Sequence, residues 1–403
     1  MALFEPHRHE PLVDIPWEEG QARSAIERIA ADTHAAFTEE GLWPIHPIDR
    51  SPERAEVLKP LYYGAAGVIW TLHRLQRAGL AELRHDYLPA VRGLLEAHRA
   101  DSLRLTGAPI LGYPVGDAGI LLLHWTLAPA DALASELHAA IEANASHPSL
   151  GFCWGAPGGM LAALFMFERT GGARWKALFL RIFEELWRSW DYDESLGCHL
   201  WTQDLYGVRE QRLGGLHGFA ATVSCMLRGR ALLGADRLAE LELRARQALR
   251  VTARREGRYA NWPLAADETP SAEPAPLRVQ HCIGAPGIVN CLASLPSEPE
   301  TDALLLAAGE LTWLAGPLVK LPGLCHGSPG SGYAFLKLFA RTGDDEWLAR
   351  ARRFAMHAIG RAERGVAEHG QRKFSLWTGD LGLAAFLCDC LRASSEVPTL
   401  DVF

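Results

Sequence analysis

A glycine step that recurs along the whole chain limits what this sequence can fold into. Gly, two variable residues and a second Gly, followed by an apolar segment, occur at six places, and at a seventh place Ala replaces the second Gly. A step that recurs in this way is typical of an architecture built from repeated units. The seven steps, called hinges one to seven, lie at residues 64–67, 116–119, 155–158, 218–221, 284–287, 327–330 and 379–382.

Two of the units agree over a longer stretch. After hinges three and six an Arg-Thr-Gly sequence ends at the same distance, at Gly171 and Gly343, and Trp175 and Trp347 follow at the same offset. Because the residues in between differ, shared composition does not explain the agreement. The sequence therefore predicts duplicated units from about residue 58 to residue 392 in one domain of residues 1–403, with a lead-in segment of about residues 1–50.

Each unit is predicted to be a pair of helices. The segment after a hinge is short and almost wholly apolar or small, as at 158–167, whereas the next segment is amphipathic. Buried helices that alternate with half-exposed ones favour two concentric rings, and strand signals are weak. The sequence therefore predicts an all-α protein, an α/α toroid (double α-barrel) of seven helical hairpins, in which glycine lets the chain turn tightly where an inner helix begins.

Composition and charge restrict the classes of partner. The 40 Lys and Arg against 48 Asp and Glu give a formal charge of −8, which argues against a nucleic-acid or anionic-membrane partner. The apolar stretches are far shorter than the roughly 20 residues of a membrane span, and the first residues lack the apolar part of a signal peptide. We therefore expect a cytoplasmic protein that acts on small molecules or peptides and whose eight Cys form no disulfide framework.

Three hinges carry Cys two residues before the first Gly, and two carry His directly before it. The residues are Cys153, Cys282 and Cys325, and His217 and His326. Equivalent positions in a ring face the same end of its cavity, and thiolates with an imidazole are the donors that zinc requires. Hinges five and six are neighbours, so Cys282, Cys325 and His326 can meet. Small buried cysteines at tight helix starts are the alternative, and spacing alone leaves both interpretations open.

Taken together, the motifs of hinges four, five and six resemble those of the lanthionine synthetase C (LanC) family. They are Gly-Leu-His217-Gly, Arg278-Val-Gln-His-Cys282-x-Gly-x-Pro-Gly and Cys325-His326-Gly-x-x-Gly. Asp117 in hinge two, Tyr333 after hinge six and the sequence at 376–382 make the chain more similar to the free-standing LanC-like branch. The resemblance extends from Tyr62 to the C-terminal end.

The resemblance implies a toroid with seven inner helices and one catalytic zinc ion per chain. By motif position the zinc ligands would be Cys282, Cys325 and His326, which leave a fourth coordination position open. In this family the open position takes a substrate thiol, whose pKa falls so that the thiolate attacks the β-carbon of dehydroalanine or dehydrobutyrine. His217 would be the acid or base, and Arg278 would stabilise the enolate. A core histidine and a surface arginine are the alternatives for these two residues.

The expected site includes three further residues and lacks one carboxylate. His281, Tyr333 and Cys153 are candidates for substrate contact or for support of a zinc ligand, although the favoured interpretation of Cys153 is a small core residue. Lanthipeptide cyclases carry an Asp where this chain has Gly112. A carboxylate partner for His217 is therefore not evident.

The leading hypothesis is a zinc enzyme that adds a thiol to a dehydroamino acid and forms a thioether. The thiol would be a Cys of the same precursor peptide, which closes a lanthionine ring, or glutathione, which the missing Asp slightly favours. A zinc-binding but inactive regulatory protein is one alternative. A carbohydrate-active toroid enzyme is another, for which the acidic cluster at 191–194 would have to supply two facing carboxylates. The Pro-rich segment 261–280 is either a linker or a loop beside the site.

Overall fold

The computed structural model describes residues 3–50, 58–266 and 277–403. Over these ranges seven α-helices form an inner ring, and each begins directly after the first glycine of a hinge. Each packs against the next along the chain, and the last packs against the first, so the ring is closed. They are α2 (Ala65–Arg77), α4 (Asp117–Leu127), α6 (Ala156–Thr170), α8 (Phe219–Arg228), α10 (Ala285–Leu292), α12 (Ser328–Thr342) and α14 (Asp380–Arg392).

Seven further helices surround the inner ring. They are α1 (Glu19–Ala35), α3 (Leu88–Thr106), α5 (Asp131–Ala143), α7 (Ala173–Arg188), α9 (Ala235–Val251), α11 (Pro299–Ala315) and α13 (Asp345–His369). The predicted α/α toroid is confirmed by this arrangement. One difference is that α1, from the segment predicted as a lead-in, packs against α13 and α14 and supplies the outer helix beside the last inner helix.

Burial separates the two rings as the apolar pattern predicts. In α6 every residue from Ala156 to Met166 is buried. Burying a large apolar side chain contributes about 1.5–3 kcal/mol, so such a helix is stable only inside the ring. The outer helix α7 instead buries one face, formed by Trp175, Leu178, Phe179, Ile182, Phe183 and Leu186.

The hinges require glycine because the chain passes very close to itself there. At the second Gly of every intact hinge, a Cβ would lie 1.8–2.3 Å from the carbonyl oxygen of the residue six positions earlier. No side chain fits in that space, so the turn before each inner helix folds tightly over the helix start. Gly284 has a second reason to be glycine, since its φ is 101°.

Six short strands form three antiparallel hairpins within the described ranges. They are β1 (Asp191–Asp193) with β2 (Cys198–Leu200), β3 (Gln203–Leu205) with β4 (Val208–Glu210), and β5 (Arg254–Glu256) with β6 (Tyr259–Asn261). The acidic cluster falls on β1 and its turn, where Asp193 accepts hydrogen bonds from the side chains of Ser195 (2.6 Å) and Gln211 (3.0 Å). These bonds lower the pKa of Asp193, so this carboxylate stabilises a turn and the geometry does not support a glycosidase site.

Below the hinges the interior of the toroid is filled by the segment that follows α14. The Tyr113 hydroxyl donates to the Thr399 carbonyl and the Trp377 indole donates to the Thr399 hydroxyl, both at 3.0 Å, and Leu400 is completely buried. The ring therefore encloses a packed core. No helix in the described part of the chain is both long and apolar enough to cross a bilayer. Residues 267–276 of the Pro-rich segment lie outside the described residues.

We expect Gly67→Ala to lower the free energy of unfolding by about 1–3 kcal/mol. The added Cβ would meet the Leu61 carbonyl oxygen at 2.1 Å. Gly93→Ala in α3 is the matched control, because a Cβ there meets nothing within 4 Å and Ala favours a helix over Gly by about 1 kcal/mol. Denaturant unfolding measures both changes, and equal stabilities for the two variants would contradict the role given to the hinge glycines.

Candidate functional site

The hinges are joined to one another by backbone hydrogen bonds at one end of the toroid. The N–H of Cys282 donates to the Cys325 carbonyl (3.1 Å), and the N–H of Cys325 donates to the Trp377 carbonyl (2.8 Å). The N–H of Trp377 donates to the Tyr62 carbonyl (2.9 Å), and the N–H of Tyr62 donates to the Pro114 carbonyl (2.7 Å). All five residues stand two positions before the first Gly of a hinge. We call the joined hinges the hinge ring.

Between hinges two and three the ring is joined differently, because Pro114 has no N–H to donate. The chain comes close at Gly112 instead, where a Cβ would lie 2.5 Å from the Cys153 carbonyl oxygen. A side chain at Gly112 has no room, which is a physical reason why the Asp of the cyclases is absent here. Hinges three and four are joined by a hydrogen bond from the Phe152 N–H to the Leu216 carbonyl (3.0 Å).

Closure of the ring brings the side chains of Cys282 and Cys325 into contact. The neighbouring Cys325 thiol lowers the pKa of the Cys282 thiol. Gln280 donates a side-chain N–H to the Cys282 sulfur (2.9 Å), and the Tyr62 hydroxyl donates to the Cys325 sulfur. Cys282 is half-buried and Cys325 is buried. The interaction favours the thiolate of Cys282 and opposes ionisation of Cys325.

Two cationic side chains favour a negative charge on the Cys282 sulfur. Lys320 and Arg278 are both exposed, and their positive charges help to lower the pKa of Cys282. The backbone at Arg278 is held by Asn261, whose side-chain N–H donates to the Arg278 carbonyl (3.0 Å) and whose side-chain oxygen accepts from the Ala285 N–H (2.7 Å). The role of Arg278 stays a prediction, and Lys320 is a second cation that the sequence did not reveal.

His326, the third predicted zinc ligand, lines a cavity of about 400 Å³. Burial lowers the pKa of its imidazole to about 4, so the ring is neutral at pH 7, the form that binds a metal. Within residues 3–50, 58–266 and 277–403, no three His, Cys, Asp or Glu side chains are grouped closely enough to hold a metal ion. Two sulfur donors in contact and a neutral imidazole adjacent to one of them in the chain are nevertheless ligand types that suit zinc. The residues therefore fit zinc in their chemistry.

The cavity extends from His326 towards hinges one, two and seven. Its size lies within the roughly 300–1,000 Å³ of small-molecule sites. Ion pairs line it on two sides, Lys373 with Asp49 (2.6 Å) and Lys59 with Asp101. The cavity therefore offers both positive and negative side chains to a small charged ligand beside His326. Its other lining residues include Tyr62, Tyr63, His98, Ser102, Ile110 and Thr378.

His217 lies on hinge four, which contacts hinge five at Gly214, where a Cβ would be 2.1 Å from the Cys282 carbonyl oxygen. The His217 carbonyl accepts a hydrogen bond from the Gln203 side chain (2.9 Å), which holds the backbone of hinge four in place. Burial lowers the pKa of the imidazole to about 4, with a further contribution from the Arg212 charge, so His217 is neutral at pH 7. Its Nδ1 is buried and has no hydrogen-bond partner in the described chain, in agreement with the missing carboxylate.

Cys153 and His281 lie close to the pair without joining it. Burial raises the pKa of the Cys153 thiol, and the nearby Cys282 raises it further, so Cys153 stays protonated. His281 is buried, its Nδ1 contacts the Asn290 side-chain nitrogen (2.9 Å), and its ring lies 5.3 Å from the Trp377 ring. His281 therefore packs against Asn290 and Trp377, and its role in supporting a zinc ligand stays a prediction.

Tyr333 is placed elsewhere. Its hydroxyl donates to the Asp389 carboxylate (2.5 Å), to which Arg74 also donates (2.9 Å). The three residues belong to α12, α14 and α2, and burial raises the pKa of Asp389 to about 6. Tyr333 therefore takes part in a buried polar network between inner helices, and the expectation that it contacts the substrate finds no support in this geometry.

Sequence reasoning missed Tyr62 and Trp377. In hinges one and seven they occupy the position that Cys282 and Cys325 occupy in hinges five and six. Their rings stack, with centroids 5.6 Å apart and planes at 12°. Alignment of all seven hinges at this position would have found them, since equivalence around a ring applies to every side chain and not only to cysteine.

A family model described as lanthionine synthetase C-like protein matches residues 59–402. This chain belongs to that family. The match covers all seven hinges, both thiols of the pair, and the helices that carry them. The family predicted from the hinge motifs is therefore confirmed.

Individual relatives agree with the assignment. Glutathione S-transferase LANCL1 of Danio rerio is 29% identical over 218 residues, which are 52% of this chain and 49% of that protein. LanC-like protein GCL1 of Arabidopsis thaliana is 34% identical over 132 residues, 31% of this chain and 30% of that protein. The chain thus matches half or less of the length of these relatives. The structure of nisin cyclase, at 14% identity, has a TM-score of 0.61 over 94% of this chain and 99% of the cyclase, which supports the fold alone.

We expect iodoacetamide to alkylate Cys282 before the other seven cysteines in the metal-free protein at pH 7. Cys282 is half-buried and the neighbouring Cys325 thiol lowers its pKa, so more of it is thiolate. Cys325→Ala removes that thiol and should slow the labelling, whereas Cys225→Ala, a buried control in α8, should not. Timed labelling with peptide mass spectrometry measures the rates. Equal rates in the wild type and Cys325→Ala would contradict the coupling.

Proposed function

We propose that this protein is a zinc-dependent enzyme that adds a thiol to dehydroalanine or dehydrobutyrine in a peptide or protein and forms a thioether. The observation that carries the proposal is that two separate hinges bring Cys282 and Cys325 side by side, with the Cys282 N–H donating to the Cys325 carbonyl (3.1 Å). Membership of the lanthionine synthetase C-like family supports it. Two cations beside a thiol pair favour the thiolate, which is the reactive form of cysteine. A purely structural site has no need of this charge.

Zinc would be held by Cys282, Cys325 and His326, one ion per chain, and when bound it lowers the pKa of a coordinated substrate thiol. Several described residues favour the binding of zinc and of a thiol substrate. Cys282 loses its proton readily, and His326 is already neutral. Arg278 and Lys320 carry positive charge beside the thiolates, and the cavity at His326 has room for a small thiol substrate.

His217 is the group that we assign to proton transfer. Its imidazole is neutral at pH 7, so it can accept the proton of the thiol. As the sulfur bonds to the β-carbon, the electron pair of the C=C bond moves onto the α-carbon and its carbonyl oxygen as an enolate. His217 then returns the proton to the α-carbon, which completes the addition. The exposed guanidinium of Arg278 would stabilise the negative enolate oxygen.

Two thiol substrates fit this reaction, and we favour glutathione. Similarity to a protein named glutathione S-transferase LANCL1 supports glutathione. The absence of a carboxylate at Gly112 also separates this chain from the cyclases. A Cys of the same precursor peptide, which would close a lanthionine ring, is the second substrate class.

A zinc-binding protein without catalytic activity is the alternative function. One observation favours it, because the buried Nδ1 of His217 has no hydrogen-bond partner in the described chain and so nothing there fixes its tautomer. This alternative predicts metal binding without turnover, whereas the enzyme predicts both.

Metal analysis of the purified protein should give about one zinc ion per chain. Cys282→Ala and Cys325→Ala should each remove most of it, because a site with two remaining protein donors binds zinc weakly. Cys388→Ala, a buried cysteine of α14, is the control and should retain the metal. Full zinc content in both hinge variants would exclude these cysteines as ligands.

His217→Ala should keep its zinc and its unfolding temperature while the rate of thioether formation falls by about 10²–10⁴-fold, the usual contribution of a general acid or base. The assay is incubation with glutathione and a dehydroalanine peptide, followed by mass spectrometry. His138→Ala on the outer helix α5 is the control. Unchanged turnover in His217→Ala rejects the role of His217, and absence of turnover in a zinc-loaded wild type favours the binding protein.

A further inference from the structure

The β3–β4 hairpin presents an aromatic side chain to solvent at its tip. Tyr206 is 74% exposed, and its φ of 58° lies in a region that non-glycine residues seldom occupy. Gly207 follows with a φ of 75°, so the two residues form the tight turn of the hairpin. Gly or Asn would suit the first turn position better than Tyr. The side chain at Tyr206 therefore has a purpose other than turn formation.

The hairpin is fixed to the hinge ring at its base. Gln203 in β3 is buried, and its side-chain oxygen accepts a hydrogen bond from the Leu150 N–H (2.9 Å) before hinge three. Its side-chain nitrogen donates to the His217 carbonyl (2.9 Å) in hinge four. One residue thus ties the hairpin to both hinges, and the position of Tyr206 relative to His217 is defined.

The hydroxyl end of Tyr206 is turned towards the hinge ring. It accepts a hydrogen bond from the Trp154 indole N–H (3.1 Å), and the two rings meet edge to face with centroids 6.0 Å apart. Trp154 directly follows Cys153 in hinge three. The hydroxyl of Tyr206 is thus held one residue away from the hinge-three cysteine.

Building on the proposed function, we propose that Tyr206 and Trp154 form the contact surface for the acceptor peptide and hold its dehydroamino acid beside His217. In this proposal the thiol and the acceptor approach the site from different sides. Cys282, Cys325 and the cavity at His326 define the thiol side, whereas His217 must face the α-carbon of the acceptor. The hairpin is tied to the His217 backbone, so its aromatic pair lies on the acceptor side.

The chemistry of the pair suits a peptide segment. A dehydroamino acid and its neighbouring amides are flat, and aromatic rings contact flat groups over a large area with little loss of conformational freedom. Tyr206 already has a fixed backbone and a hydrogen-bonded hydroxyl, and its ring remains exposed to receive a partner. The substrate class inferred here is therefore an extended peptide that carries dehydroalanine or dehydrobutyrine.

Steady-state kinetics with glutathione and a short dehydroalanine peptide test the inference. Tyr206→Ala should raise KM for the peptide roughly three- to tenfold, the range for loss of one aromatic contact, while kcat and KM for glutathione change little. Tyr206→Phe should retain most of the peptide affinity. Tyr192→Ala is the matched control, since Tyr192 is 53% exposed on the β1–β2 hairpin and its ring contacts His199 instead.

Zinc content and unfolding temperature should be the same in all four proteins. An unchanged peptide KM in Tyr206→Ala would overturn the inference, as would a Phe variant as weak as the Ala variant. If the wild type has no turnover, the proposed function is wrong, but the peptide contact can still be tested. Calorimetric titration of the same peptide into wild type and Tyr206→Ala then compares the two binding affinities. Weaker binding in Tyr206→Ala supports the contact, and equal binding or no binding to the wild type rejects it.

Discussion

The hydrogen bonds between successive hinges are the constraint on which this structure depends. From hinge five through six, seven and one to hinge two, each bond joins a backbone N–H to the carbonyl at the same position of the next unit, so these inner helices begin at the same end of the toroid. The side chains at that position then point to a common place at one end of the toroid. Cysteines from two hinges meet there although their helices are separate along the chain. The site is a product of ring closure, and glycine makes the closure sterically possible.

The same constraint explains which chemistry the end of the ring can support. A Cβ at Gly112 would lie 2.5 Å from the Cys153 carbonyl oxygen, so a carboxylate side chain has no room at this position. His217 is left neutral, with one ring nitrogen buried and without a partner in the described chain. Cys282, by contrast, has the Cys325 thiol and two cations beside it, all of which favour the thiolate. Charge in this site is therefore concentrated on sulfur.

Much of this could be predicted from the sequence. The repeated glycines and the alternation of apolar and amphipathic segments gave the toroid, and equivalence of positions around a ring placed Cys282 next to Cys325. The outer helix α1 was missed because it has no hinge before it. Tyr62 and Trp377 were missed because only cysteine and histidine were compared between hinges. Tyr206 could not be found, since nothing in a short hairpin reveals which hinge it contacts.

X-ray absorption at the zinc edge can show whether hinges five and six hold a metal that binds a thiol substrate. We expect the protein to supply two sulfur ligands at about 2.3 Å and one nitrogen ligand at about 2.0–2.1 Å from the zinc ion. Addition of glutathione should increase the sulfur ligands from two to three. A zinc ion without sulfur ligands would contradict the assignment of Cys282 and Cys325 as ligands. A number of sulfur ligands that glutathione leaves unchanged would contradict binding of the thiol substrate to zinc.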